Sequence, residues 1–350
     1  LHIFIRSDIM CGIVGVTFTK NPKETAAIGH ELLRRHQHRG DRSAGMVLER
    51  LDGFYQEKID LGTVDFVFGN VNFQTPEWTG YSLVGQVRYS TSGVDEDNPL
   101  SRKQDELVAQ PYKGIFHGTE FYLIYNGNLT PSCCTDLYKK VYRVPLDAEQ
   151  EEKNSYVDTE LIVKLIEFSK KENFESAFID ACTQLKGGFS IVCLYKGSLY
   201  ATRDQKGFRP LEYGSHPNGY IVASEDSVFM DVKFPGIKKI RSIQPGECLI
   251  LERVDNAIIE HSKQWASLTP DKYAICQFEY VYFRAIDSTE KGNRMATLRR
   301  SLGKQLAREC PPPPNADIVL GVPDSGIDAA IGYAEESGIP YVQDGLRREH

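Results

Sequence analysis

Cys11 follows Met10 and opens the apolar run GIVGVTF, only ten residues into the chain. A thiol attacks as its thiolate, and a free cysteine titrates near pH 8.5, so a nucleophilic cysteine needs a base. No histidine stands at an obvious partner position. If Met10 is removed, Cys11 becomes the first residue and carries its own α-amino group, which titrates at about 7.7–8.0. Nucleophile and base then lie in one residue, an established way of activating a side chain. Read alone, a buried core cysteine at a strand start is the plainer account.

The leader LHIFIRSDIM is too short for a signal peptide, carries Asp8 and lacks a small-residue cleavage site. Residues 1–10 are therefore expected to be a leader or a misread start, with Met10 as the true beginning. Such a leader is expected to block Cys11.

The elements that must position this residue follow from pattern. IVGVTF reads as a strand. FYLIYNGNL reads as a strand running into an Asn-Gly turn, and SIVCLYKGSLYATRD as two strands joined by Lys-Gly. YIVASE and ECLILER are further strands. In DTELIVKLIEFSKK the apolar residues Leu161, Ile162, Leu165, Ile166 and Phe168 recur at helical spacing, with Asp158 as the natural N-cap. Two or three helices are expected before residue 260. RDQKGFRPL reads as a strand end and turn, with Arg203, Asp204 and Arg209 structural.

Beyond about residue 265 the pattern changes. MATLRRSLGKQLAREC is an amphipathic helix with Met295, Leu298, Leu302 and Leu306 on one face, stopped by prolines 311–314. ADIVLGVPDSG is an apolar strand breaking into a turn, AAIGYAEESG a helix capped by Gly338, and IPYV a second strand. That βαβ unit implies a parallel sheet. The strand-to-helix turn can present backbone N–H groups to a phosphate; capping by Asp324 or Ser325 is the equally good structural account.

The totals exclude some classes. A net charge of −7 over 350 residues gives no reason to expect nucleic acid or an acidic membrane surface as partner. No apolar run approaches the roughly 18 residues a membrane span needs. The cysteines, at 11, 133, 134, 182, 193, 248, 276 and 310, form no CxxC pair. Cys182, Cys193 and Cys248 sit in apolar segments as core thiols, and a reduced, cytoplasmic chain is expected.

HRGDRSAGM, GQVRYSTSG, AQPY, YNGNLT, VDTEL and RDQKGFRPL occur in that order. The series resembles the class II glutamine amidotransferases, whose glutaminase domain has an N-terminal-nucleophile fold. CQFEYVYFRAIDS, LGVPDSG and GYAEESGIPY narrow the resemblance to the amidophosphoribosyltransferases. It covers nearly all of residues 10–346. It implies an α/β (α+β) architecture: a four-layer αββα glutaminase domain over residues 11–260, then an incomplete type I phosphoribosyltransferase domain over 261–350.

The resemblance also implies roles. Cys11 attacks the side-chain amide of glutamine. Asn126 and Gly127 supply the oxyanion donors. Arg88 grips the α-carboxylate, Thr91 adds a hydroxyl contact, and Asp158 holds the α-ammonium group. Arg39 and Gly40 line the nucleophile's surroundings. Asp324 and Ser325 bind phosphoribosyl diphosphate and its Mg²⁺. Cys276 matches a position that ligates a 4Fe–4S cluster in one branch of the family. The reaction implied converts glutamine and phosphoribosyl diphosphate to phosphoribosylamine, glutamate and pyrophosphate in purine synthesis, by a homotetramer inhibited by purine nucleotides.

Several positions depart from the family pattern: Asp41 and Arg42 in HRGDRSAG, Gln86 for His, Tyr125 for His, Arg284, Ala285 and Ile286 in YFRAIDS, and GLRREH near the end. The family's phosphoribosyl diphosphate loop is absent, so the 350-residue chain is expected to be limited to glutamine hydrolysis. Two rivals stand beside this reading: another class II amidotransferase, and a non-catalytic relative kept as a regulatory module.

Overall fold

Seven consecutive buried residues make up β1 (Gly12–Phe18), because both of its faces are covered. Val14, Val16 and Phe18 face a helical layer, while Ile13 points to a second sheet. This is why the strand reads as a continuous apolar run rather than an alternating one. The computed structural model describes residues 10–89, 105–143, 157–230, 236–267, 273–343 and 345–346.

The chain divides into two compact units, Leu1–Ser224 with Val228–Ile275, and Glu225–Ser227 with Cys276–His350. In the first unit β1 lies near the middle of a seven-stranded antiparallel sheet. Its neighbours are β2 (Ser43–Arg50), β3 (Tyr55–Leu61), β4 (Gly80–Arg88), β9 (Glu212–His216), β10 (Gly219–Ala223) and β11 (Lys238–Ser242), in the order β11-β9-β10-β1-β4-β2-β3. The second sheet runs β13-β12-β8-β7-β6-β5. It is built from β5 (Tyr112–Phe116), β6 (Thr119–Leu129), β7 (Gly187–Tyr195), β8 (Ser198–Arg203), β12 (Glu247–Val254) and β13 (Ala257–Gln264).

Three cores hold these layers. α1 (Thr25–Arg35) and α2 (Val64–Phe68) cover the first sheet through Ile28, Leu32, Leu33 and Phe68. Ile13, Val84, Ile124, Val192 and Leu249 fill the space between the sheets. α3 (Pro131–Tyr142), α4 (Asp158–Glu167) and α5 (Phe174–Gln184) cover the second sheet. The arrangement is αββα, and it has more helices than the two or three expected.

Local chemistry accounts for the joints. Lys196 and Gly197 both adopt positive φ, so the Lys-Gly pair closes the β7–β8 hairpin as expected. Three expectations need correction. Asn126 and Gly127 form no turn: β6 runs straight through them, with Asn126 opposite Ser190 and Gly127 opposite Phe189. A Cβ on Gly127 would lie 2.6 Å from the Gly188 carbonyl oxygen, so the glycine lets two strands meet closely. Asp158 is the first residue of α4 rather than its cap; Val157 stands at the N-cap. Phe168 follows the helix and is exposed.

The second unit contains α6 (Met295–Glu309) and α7 (Gly326–Ser337). The buried face of α6 is Met295, Arg299, Gly303 and Ala307, whereas Leu302 and Leu306 are about half exposed. The expected leucine face is therefore wrong. The close approach of α7 decides the matter: Cβ atoms at Gly303 and Gly332 would each fall 1.9 Å from a carbonyl oxygen of the opposite helix. The smallest residues, not the largest, mark this seam. Gly338 ends α7 in the left-handed conformation, as expected. The expected parallel strands reduce to one bridge, Val319 to Tyr341. Its bonds run from Val319 N to Pro340 O at 2.9 Å and from Val342 N to Val319 O at 3.0 Å.

Candidate active site

Four elements of the first unit converge on Cys11. It sits immediately before β1, at the end of the sheet where β4 finishes with Arg88. The single helical turn Gln37–Arg39 brings in Arg39. From the second sheet β6 contributes Asn126. Cys11 is essentially inaccessible to solvent, as is Met10.

Each neighbour has a defined contact. The Cys11 backbone N–H donates to Asn126 Oδ1 at 3.0 Å. Arg39, itself fully buried, donates from Nε to the Cys11 carbonyl at 3.0 Å. Gly40 is required by packing, because a Cβ there would lie 2.2 Å from the carbonyl carbon of Arg88. Burial pushes the Cys11 thiol above its ordinary pKa, while Arg88, the Tyr89 backbone N–H, Arg39 and Arg209 pull against that. The strongest influences on the sulfur are thus burial, three guanidiniums and an amide, none of which accepts a proton. That matches the need for a base supplied by the residue itself.

Asn126 has a split role. Its Oδ1 accepts from Cys11 N, which leaves Nδ2 as the remaining donor, and that buried nitrogen has no hydrogen-bond partner among the described residues. An unsatisfied buried donor costs roughly 1–3 kcal/mol and signals a ligand or a functional use. It is the group an oxyanion needs.

Asp158 lies at the start of α4. Its Oδ2 accepts from Leu129 N at 2.9 Å and from the Tyr125 hydroxyl at 3.4 Å, and Cys134 Sγ donates to Oδ1 at 3.3 Å. Its carboxylate therefore ties α4 to the end of β6 instead of capping its own helix. Burial and the adjacent Asp158 carboxylate hold the Tyr125 phenol far above its usual pKa, so it stays a neutral donor. Gln86 donates from Nε2 to the Tyr125 carbonyl at 2.7 Å. Two of the departures, Gln86 and Tyr125, are thus built into the site's support.

Thr91 lies outside the described residues. Three participants were not anticipated: Asp105, Arg209 and the Tyr89 backbone. Arg88 is in an ion pair with Asp105, and Arg209 donates to the Met10 thioether and acts on the Cys11 thiol. Tyr89 contributes its backbone N–H, for which no side-chain signal exists. Arg203 and Asp204 are structural, as expected: Arg203 donates to the carbonyls of Arg209, Ile243 and Gly207, and Asp204 accepts from Phe189 N and Lys206 N.

In the second unit, Ser325 is the residue before α7, but its side chain makes no capping bond. Asp324 precedes it. Arg284, another departure, is buried and donates to Glu290 at 2.8 Å, and its carbonyl accepts from Arg299 Nη2 at 2.7 Å. Among the described residues no group of three or more His, Cys, Asp or Glu could hold a metal ion. Cys276 is partly buried, and none of the eight cysteines is in a disulfide. The described residues therefore do not fit a 4Fe–4S cluster, which needs four thiolates. A single carboxylate, Asp324, fits Mg²⁺ only where substrate phosphates and water complete its shell.

The family model for a glutamine amidotransferase domain matches residues 99–231. An amidophosphoribosyltransferase of Rhizobium etli is 33% identical over 97% of this chain and 63% of its own length. One from Methanothermobacter thermautotrophicus is 34% identical over 95% of this chain and 64% of its own. Among solved structures, a glutamine phosphoribosylpyrophosphate amidotransferase from B. subtilis complexed with ADP and GMP superposes with a TM-score of 0.74. It is 29% identical, over 95% of this chain and 65% of that one. The chain thus spans just under two thirds of the length of these relatives. No helix among the described residues is long and apolar enough to cross a membrane.

Proposed function

We propose, from the premise that this chain belongs to the amidophosphoribosyltransferase family, that its first unit hydrolyses glutamine through Cys11 as an N-terminal nucleophile. The observation that carries this is the Cys11–Asn126 pair, with a buried amide nitrogen left unpartnered beside a buried thiol.

The steps follow from the residues. With Cys11 first in the chain, its α-amine takes the thiol proton, and Sγ attacks the side-chain amide carbon of glutamine. Negative charge gathers on the amide oxygen, where Asn126 Nδ2 and the Gly127 N–H are the assigned donors. The amine returns the proton to the departing nitrogen, which leaves as ammonia and a glutamyl thioester. Water then attacks the thioester, releasing glutamate and restoring the thiol. Arg88 grips the α-carboxylate, Thr91 adds its hydroxyl, and Asp158 holds the α-ammonium group. Arg39 keeps Cys11 in place through its carbonyl.

For the whole protein, the reading is transfer of that ammonia to phosphoribosyl diphosphate, giving phosphoribosylamine in purine synthesis. Asp324 and Ser325 stand at the turn that would meet the phosphates. Mg²⁺, bound with the diphosphate, would neutralise charge on the leaving pyrophosphate. A cytoplasmic homo-oligomer with purine nucleotide feedback belongs to the same reading. The relatives' names support the transfer reaction, and the complex with ADP and GMP supports the nucleotide feedback.

The test is glutamate release from glutamine by two purified forms, one starting at Cys11 and one keeping residues 1–10. Activity in the first form alone is expected, together with its loss in Cys11→Ala. Equal activity in both forms would show that the α-amine is not the base. If a folded Cys11-first chain neither releases glutamate nor is labelled at Cys11 by a diazoketone glutamine analogue, the reading fails.

A further inference from the structure

Arg88, the guanidinium assigned to the substrate's α-carboxylate, already holds a carboxylate. Its Nη1 donates to Asp105 Oδ1 at 2.6 Å, and each side chain is only 11% exposed. The pair lies beside the nucleophile, since Arg88 is close enough to lower the Cys11 thiol pKa. Asp105 belongs to a short helical segment at residues 105–108, just before the AQPY stretch.

A side-chain carboxylate and an amino acid's α-carboxylate are the same chemical group. A buried guanidinium without an anion is costly, so something must neutralise Arg88 when no substrate is present. Two carboxylates on it would leave surplus negative charge in a desolvated site. One-for-one exchange keeps the local charge constant. We infer that Asp105 is the resting occupant of the α-carboxylate subsite, an internal competitor that the substrate's carboxylate displaces from Arg88.

This assignment rests on the glutaminase reading and adds a specificity rule to it. Only a substrate carrying an α-carboxylate can displace Asp105. An amide lacking that group must bind with Asp105 still in place, and removing the Asp105 charge does nothing for it.

The experiment uses the Cys11-first chain and compares wild type with Asp105→Asn and Asp105→Ser, the serine variant serving if the asparagine variant does not fold. Hydrolysis of L-glutamine is compared with that of 4-aminobutanamide, which keeps the amine and the amide but lacks the carboxylate. Labelling of Cys11 by 6-diazo-5-oxo-L-norleucine is followed against concentration. Loss of the Asp105 charge is expected to lower the KM for glutamine, and the half-saturating concentration for labelling, about tenfold. The KM for 4-aminobutanamide should stay within about twofold. A higher glutamine KM, or equal shifts for both amides, would mean that Asp105 only holds Arg88 in shape, and would overturn the assignment. Labelling in wild type with no shift in the variants would overturn it while leaving the glutaminase reading intact. Absence of labelling in every folded form would remove both.

Discussion

Around Cys11 the first unit buries Arg39, Arg88, Arg209, Asp105 and Asn126, while the second unit leaves Leu302, Leu306, Ile318, Leu320 and Val322 substantially exposed. The contrast reverses the ordinary preference of these residue types. Charge can be buried near Cys11 because two sheets and two helical layers surround it and place a partner at each end: Asp105 for Arg88, the Cys11 carbonyl for Arg39. In the second unit α6 and α7 meet through glycine and alanine, and exposed ion pairs such as Lys304–Glu335 and Arg308–Glu336 flank the seam. The large apolar side chains point elsewhere. Buried polar groups gather around the candidate nucleophile, and the exposed apolar side chains of the second unit mark a surface that the described elements do not cover.

Removing the orphaned donor should have the largest effect. Asn126→Ala is expected to lower kcat for glutamate release about 10²–10³-fold, with little change in glutamine affinity. A smaller loss measured in steady-state kinetics would shift the weight of the oxyanion site onto backbone donors.

At the helix seam, Gly303→Val places side-chain atoms against the Ala329 backbone, which no rotamer relieves. A cost of about 3 kcal/mol is expected. Hydrogen exchange should show faster opening of residues 295–337 with the first unit's protection unchanged.

Glu247 tests buried charge away from the catalytic end. Burial alone would raise its pKa, but paired bonds from Arg241 and an N–H from Gln244 bring it below the usual carboxylate value. The unfolded chain then binds more protons than the folded one. The stabilisation is full above the ordinary glutamate pKa of about 4.3 and is lost as pH falls through the lower folded value. Glu247→Gln should cost about 1–2 kcal/mol near neutral pH and markedly less at pH 3, read from urea midpoints at the two pH values. Leu302→Lys should change stability by no more than about 0.5 kcal/mol, because its side chain is already in water. A larger loss would mean that the exposed leucine row is covered in solution.

Much of the scaffold was legible because it is local. The Lys196–Gly197 hairpin, the Gly338 cap and the doubly buried run of β1 each follow from a few adjacent residues. Hydrophobicity does not predict the α6 face, because the close approach of a partner helix requires glycine there. The Asn-Gly pair carries a turn signal in the sequence, but the close strand pair at Gly127 and Phe189 depends on a contact 62 residues away that no local pattern encodes.

The sequence by itself pointed to the candidate nucleophile, a cysteine that would carry its own base once it is the first residue, and supplied a motif order that resembles the glutamine amidotransferases. Only the tertiary structure decided what surrounds that cysteine. Asn126 meets it across 115 residues and Arg39 across 28, while Asp105 reaches Arg88 across 17 and Arg209 reaches Met10 across 199. Propensity and periodicity act over a few residues and cannot specify such encounters. They arise when two sheets close on each other, and that closure also makes the resting charge on Arg88 an internal carboxylate instead of solvent.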